Sequence, residues 1–308
     1  MSRGEGLHGL LLVDKPAGCT SHDVVRDARR ALHERKVGHC GTLDPDATGL
    51  LLLTVGRATR LTRFLIRAPK VYEGIIRFGI VTDTYDASGQ VLSERPTTDL
   101  DTEEVSARMA ELVGTYAQLP PPYCAKKTGG RKFYELARQG EPVPREPVEV
   151  KIYEFEPTGG GLAGDRLPFR LACASGTYAR SLAHDLGERL GCGAHLAALR
   201  RIAIGHFSIE SAVTMPALEA CGGDPGPLGE AWIPFDRIPL PFPEVQADAN
   251  QERRVLNGQS ALLQDLDAAE GDWIKLVNPR RRFIAVGSVV ERIGDRGVGV
   301  VQPRIVFK

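Results

Sequence analysis

Short apolar runs closed by glycine or proline alternate with stretches of helical spacing along most of the chain. Gly9–Val13 (GLLLV) and Leu50–Val55, in which only Thr54 is not apolar, read as buried strands. Between them Val24, Val25, Ala28, Ala31 and Leu32 recur at helical spacing, with Arg26, Arg29, Arg30 and Arg35 opposite. This predicts an amphipathic helix of about three to four turns. Thr20 and Asp23 have the capping-box spacing, and Ser21 is an alternative cap. Leu61, Phe64 and Leu65 predict a helix within 56–70, and Thr102–Leu112 another. Val71–Thr82, Val148–Phe155 and Arg166–Ala174 read as strands, with a short return strand from Val91. Leu182, Ala183, Leu186 and Leu190 mark the buried face of a further helix, and Met215–Ala220 a last one before a Gly/Pro-rich linker over Gly222–Gly229.

From about Pro241 the texture changes. A short helix over Gln251–Leu256 precedes strand-like runs at Trp273–Val277, Phe283–Val290 and Gly297–Phe307, separated by turn residues. This predicts an appended β-barrel of roughly 65–70 residues. Arg280–Arg282 give it a basic edge.

Composition adds limits. A chain of 308 residues is long enough for two domains. Its 39 basic and 39 acidic residues cancel, so any nucleic-acid surface must be local. The six cysteines form no CxxC pair and are expected to be reduced thiols. The seven histidines show no ligand spacing, and no metal is expected. No secretory signal or run of membrane length is visible, so a cytoplasmic protein is expected.

The candidate chemistry centres on Gly41-Thr42-Leu43-Asp44-Pro45-Asp46-Ala47-Thr48-Gly49. Pro45 pushes Asp44 out of the helical region and fixes its own φ. A carboxylate is therefore held on a stiff turn at the lip of a buried strand, a place where folds put reacting groups. Asp-Pro-Asp by itself is also an ordinary turn. Arg57, Arg60, Arg63, Arg67 and Lys70 follow without one acidic residue, which points to a polyanion partner. Within 118–138, Lys126, Lys127, Arg131 and Lys132 interleave with Tyr123, Phe133 and Tyr134 around a Gly pair. That mixture suits phosphates and unstacked bases, though it also fits a plain surface insertion. Gly159–Gly164 matches GxGxxG, but a strand rather than a helix follows, so it reads as a hairpin turn. Arg180 stands in the first turn of its helix, where the dipole disfavours a cation, which implies a specific carboxylate partner.

These stretches together carry a family resemblance. DKPAGCTSHD (14–23), VGHCGTLDPDATGLL (37–51), KVYEGIIRFG (70–79), QLPPPYCAKKTGGRKFYELAR (118–138), CASGTYARSLAHDLG (173–187) and AHLAALRR (194–201) resemble the TruB family of bacterial tRNA pseudouridine synthases. The terminal barrel resembles that family's PUA RNA-binding domain more weakly. The resemblance implies an α/β protein of α+β type, with a central, mainly antiparallel sheet flanked by helices. It implies a catalytic domain over 1–240, with an RNA-clamping insertion at about 118–148, and a PUA-like domain over 241–308. The implied reaction turns the T-loop uridine at position 55 of tRNA into pseudouridine, with no cofactor and no metal. By motif, Asp44 resembles the nucleophile, Tyr72 the tyrosine that packs on the base and helps move the C5 proton, and Arg180 the arginine that pairs with the aspartate. His39 resembles the histidine stacked in the RNA. Tyr178 and Leu199 resemble residues lining the uridine pocket, and Lys127 and Arg131 belong to the clamp. The expected partner is the tRNA T stem-loop, with no membrane, no obligatory protein partner and a monomeric state. Cys40 stands where Thr or Ala is expected, and Cys124 where Ser is usual; both are small enough for packing to survive. An RNA-binding or tRNA-folding module, or a related synthase acting on another RNA, are the alternatives, and Asp44→Asn separates binding from chemistry.

Overall fold

A computed structural model describes residues 6–98, 100–124, 145–294 and 297–308, together with the backbone of 127–128 and 131–132. The main sheet runs in the order Val213–Thr214, Gly9–Lys15, Thr48–Val55, Ala194–Ile204, Lys70–Phe78, Arg166–Cys173, Val148–Pro157 and Gly114–Gln118. Its junctions are antiparallel except at Val13↔Val213 and at Arg200↔Thr48, Arg201↔Gly49. The central, mainly antiparallel sheet and the α/β class are therefore as expected.

Helices cover the sheet. Ser21–Ala31 is capped by Thr20 in a reciprocal box with Asp23, and buries Val24, Val25, Ala28 and Ala31 against Leu10–Val13 and Leu50–Leu53. Because Leu50, Leu51, Leu52 and Leu53 are all fully buried, this strand is covered on both faces, which explains its unbroken apolar run. Ala179–Arg189 and Thr102–Ala110 close a second core around Ile76, Phe78, Leu167 and Leu171. The glycine-rich 159–164 segment joins the antiparallel strands Val148–Pro157 and Arg166–Cys173, as the hairpin reading required.

Several elements differ from expectation. The helix within 56–70 is a 3-10 turn over Gly56–Leu61 followed by one α turn, Thr62–Leu65, and Lys70 opens the next strand fully covered. The supposed linker holds a 3-10 segment, Gly226–Ala231, whose Leu228 and Ala231 join the first core. Gly114–Gln118 is a strand on the sheet edge; five residues ahead of a proline run carry too little pattern to announce it.

The terminal region is a curled five-stranded sheet, in the order Glu244–Gln246, Trp273–Val277, Phe283–Ile293, Val298–Val306, Ala261–Leu263. It has its own core around Ile274, Leu276 and Val301. Its outer aromatics do not stay there: Phe283 stacks on Phe235 at 5.0 Å and Phe307 meets Phe235 edge-on at 4.8 Å, within the first core. Arg60 donates to the Val306 carbonyl at 2.6 Å, and Arg63 lies 4.9 Å from the Trp273 ring. Part of the acid-free basic run thus serves the seam between the two sheets.

Candidate active site

Asp44 lies in the loop between the Val37–His39 and Thr48–Val55 strands. Its carbonyl accepts the Ala47 N–H at 3.1 Å, closing the turn that Pro45 begins. Three side chains hold this loop. Arg201, only 1% exposed, donates from Nε to Leu50 O at 2.7 Å and from Nη2 to Gly41 O at 3.0 Å, so one guanidinium grips both ends. Ser21 Oγ accepts the Leu43 N–H at 2.9 Å and donates back to Leu43 O at 3.2 Å. Its sequence reading as a cap gives way to this role, because Thr20 already caps the helix. Fully buried Lys15 donates to Pro45 O at 2.9 Å, and the Gly18 N–H reaches the same carbonyl at 3.0 Å. Burial pushes the Lys15 ammonium below the usual lysine range, while Cys19, Asp46 and Asp44 pull it back up. Gly49 allows the close junction behind the loop: at φ +101° a Cβ there would sit 2.3 Å from Arg201 O.

The carboxylate meets a preformed cation. Arg180 Nε lies 3.0 Å from Asp44 Oδ2, and Nη2 donates to Oδ1 at 3.1 Å. The same guanidinium reaches Asp86 Oδ2 at 3.4 Å, Thr84 O at 3.1 Å and Tyr123 O at 3.0 Å. Two carboxylates thus answer the misfit of a cation in the first turn of the Ala179–Arg189 helix. The side chain of Arg180 is 7% exposed and that of Asp44 44%, so the pair is dry on one side and open on the other. Burial raises the Asp44 pKa and is the largest influence; Arg180 and Lys15 lower it and Asp86 raises it. Arg180 therefore works against both the surrounding protein and a second carboxylate in favouring the ionised form of Asp44.

The other expected residues fall around this pair to different degrees. Tyr72 stands opposite Arg201 and Leu171 in its sheet, and its phenol is pushed up by burial and drawn back by Arg201. Leu199 is opposite Gly74 on the strand that carries Arg201, diagonal to Tyr72, and packs beside it on the second core. Tyr178 precedes the Arg180 helix; Gln118 fixes its backbone, accepting the Tyr178 N–H at 2.8 Å and donating to its carbonyl at 3.1 Å. Burial raises the Tyr178 phenol and Cys124 pushes it further, while Asp44 lies near enough to act on Tyr72 and Tyr178 alike. His39 ends its short strand against His22, edge to face at 5.4 Å, and burial lowers its pKa. Cys40 is fully buried beside it, its thiol pushed up to about 12. Lys127 and Arg131 sit in a two-stranded ladder, Lys127↔Lys132 and Thr128↔Arg131, and their side chains lie outside the described residues.

Sequence reasoning missed Asp86, Lys15, Arg201 and Gln118. Asp86 carries no signal of its own, since Asp, Ser and Gly over 83–89 read as an ordinary turn. Lys15 and Arg201 lay inside the motifs already noted, and their signal is a cation embedded in an apolar strand, which requires internal partners.

A family model described as TruB family pseudouridylate synthase (N terminal domain) matches residues 29–179, and one described as tRNA pseudouridylate synthase B C-terminal domain matches 180–231. The chain is 41% identical over 285 residues to tRNA pseudouridine synthase B of Solibacter usitatus, covering 92% of this chain and 96% of that one. The chain belongs to the TruB family of pseudouridine synthases. A relative of the same name from Opitutus terrae is 50% identical over 214 residues, 70% of this TruB-family chain and 88% of that protein. Among solved structures, an archaeal box H/ACA sRNP Nop10-Cbf5 complex matches with a TM-score of 0.72 at 26% identity, over 97% of this chain and 86% of that one. A Cbf5-Nop10-Gar1 complex matches with a TM-score of 0.74 at 25% identity, over 96% and 84%. Asp44 falls in the first family model and Arg180 opens the second, so folding alone brings the pair together.

Proposed function

We propose that this TruB-family isomerase converts the T-loop uridine at position 55 of tRNA to pseudouridine, with Asp44 as its nucleophile. The observation that carries this reading is the two-point contact of Arg180 with Asp44 on a loop clamped by Arg201, Ser21 and Lys15. The N1–C1′ bond breaks as Asp44 traps or stabilises the oxocarbenium-like ribose carbon. The uracil turns, C5 bonds to C1′, the C5 proton leaves, and N1 regains a proton, so the product is an isomer. Tyr72 packs on the base and assists the proton transfer at C5. Tyr178 and Leu199 line the uridine pocket. Arg180 orients Asp44 and favours its ionised form against burial.

An isomerase must keep water from the ribose carbon, since hydrolysis would leave an abasic site. The uridine must leave the stacked loop, at a cost of a few kcal/mol. His39 stacking within the RNA, and Lys127 and Arg131 on its phosphates, offset that cost. The same reading has the enzyme act as a cytoplasmic monomer without a protein partner, cofactor or metal, with catalysis in 1–240 and RNA binding in 241–308.

The test is pseudouridine mapping of a T stem-loop RNA incubated with the wild type and with Asp44→Asn. Conversion by the wild type alone, with RNA affinity kept in the variant, is expected. Conversion by both removes Asp44 as nucleophile. Conversion by neither, with tight binding, favours the RNA-binding module or another RNA.

A further inference from the structure

A cavity of about 640 Å³ lies in the seam between the two sheets and shares no lining residue with the Asp44 site. One wall is aromatic. Phe64 meets Phe242 edge-on at 5.2 Å and Trp273 at 5.0 Å, and Phe242 and Trp273 are both only half-buried. The other wall is cationic. Arg63 lies 4.7 Å from the Phe64 ring centroid and 4.9 Å from that of Trp273, and Arg67 is exposed just past the end of that helical turn. Among the described residues neither guanidinium is paired with a carboxylate. The one acid lining the cavity, Asp272, turns an oxygen to its own loop, where it accepts the Ala269 N–H at 2.8 Å.

We propose that this seam binds a single-stranded stretch of the substrate RNA, outside the T stem-loop, as a second anchoring site. The chemistry is specific in kind. Flat aromatic faces beside a guanidinium take a nucleobase by stacking and cation–π contact, and the two arginines take the flanking phosphates. The volume is in the range of small-ligand sites and holds one nucleotide rather than a duplex. Stacked arginine is weakly hydrated and planar, so it gives up little on meeting phosphate. The site gives a use to two cations of the acid-free run from Arg57 to Lys70 in a chain that is neutral as a whole. Arg60 and Lys70 are used internally, Arg57 lies at another surface beside His8 and Lys36, and Arg63 and Arg67 face this cavity.

The inference rests on the tRNA reading above, and its test separates the two. KM is measured for whole tRNA and for the isolated T stem-loop, with the wild type and with Arg67→Gln. Arg67→Gln is expected to raise KM for whole tRNA about tenfold, the equivalent of one lost charged contact. KM for the stem-loop is expected to stay within about twofold. The slope of log affinity for tRNA against log salt is expected to flatten by about 0.7. Arg63→Gln, which also disturbs packing, is expected to act in the same direction, and Trp273→Phe keeps a stacking face and should retain most affinity. Equal KM changes for the two RNAs, or none for either, overturn the second site. Failure of the wild type to convert the stem-loop while converting tRNA elsewhere overturns the T-loop reading and leaves the seam to be judged on tRNA affinity and salt slope alone.

Discussion

Arg180 meets Asp44 with two nitrogens on two oxygens, at 3.0 and 3.1 Å, from opposite halves of the chain. The fork geometry fixes the plane of the carboxylate as well as its charge. Arg180→Lys keeps the charge and loses the fork. Single-turnover conversion is expected to slow by about 100-fold, the scale of losing one preorganised charge contact, with stem-loop affinity little changed. A rate within a factor of two of wild type would show that charge alone suffices.

Asp86 competes with Asp44 for Arg180 and pushes the Asp44 carboxyl upward. With Asp44 as the nucleophile proposed above, activity should fall as pH drops through that raised value, because the protonated carboxyl cannot attack. Asp86→Asn removes the opposing charge, so the acid limb of the kcat profile should move to lower pH. The stability sign is the reverse. An acid with a raised folded pKa binds its proton more tightly when native, so this contribution is largest below the unfolded value and declines as pH rises through the folded one. A limb that moves upward in the variant would contradict the assignment.

Lys70 is buried between two strands and donates to Ala68 O at 2.7 Å and to Ile66 O. Burial, followed by Arg201, lowers its pKa to about 8. The native state therefore binds this proton less tightly than the unfolded chain. Below about pH 8 the burden of a buried charge is fully present, and it eases as pH rises toward the unfolded value of 10.5. Relative to Lys70→Met, wild-type unfolding free energy should rise by about 2 kcal/mol between pH 8 and 9.5, measured by urea titration. Parallel pH curves for the two proteins would refute it.

The terminal sheet lends Phe283 and Phe307 to the core that contains Leu10 and Phe235. Cutting after residue 240 uncovers those aromatics. The 1–240 fragment should melt about 10 °C or more below the full chain, since each buried phenylalanine is worth roughly 1.5–3 kcal/mol, and it should bind a hydrophobic dye. An unchanged melting temperature would mean that the two sheets are independent.

Much of this was legible in the chain itself. The Thr20–Asp23 box, the buried Leu50–Val55 strand and the glycine hairpin follow from local pattern, and local pattern is what short windows contain. The demand of Arg180 for a carboxylate followed from its helix position alone. Asp86, Lys15 and Arg201 were not legible as site residues, since each acquires its partners through strands paired across many residues of sequence. Nor was the shared core visible, because a stripe of phenylalanines in a small terminal sheet reads equally well as that sheet's own interior.

The grip of Arg201 on Gly41 and Leu50 has a consequence for the order of events during synthesis. These carbonyls lie 160 and 151 residues before the arginine. A ribosome making the chain from its N-terminus completes the Asp44 turn early, but the side chain that shapes it emerges only with the Ala194–Ile204 strand. Closing so long a loop is slow compared with forming local turns. In the nascent protein the Asp44 loop therefore lacks its Arg201 clamp until the Ala194–Ile204 strand has joined the sheet.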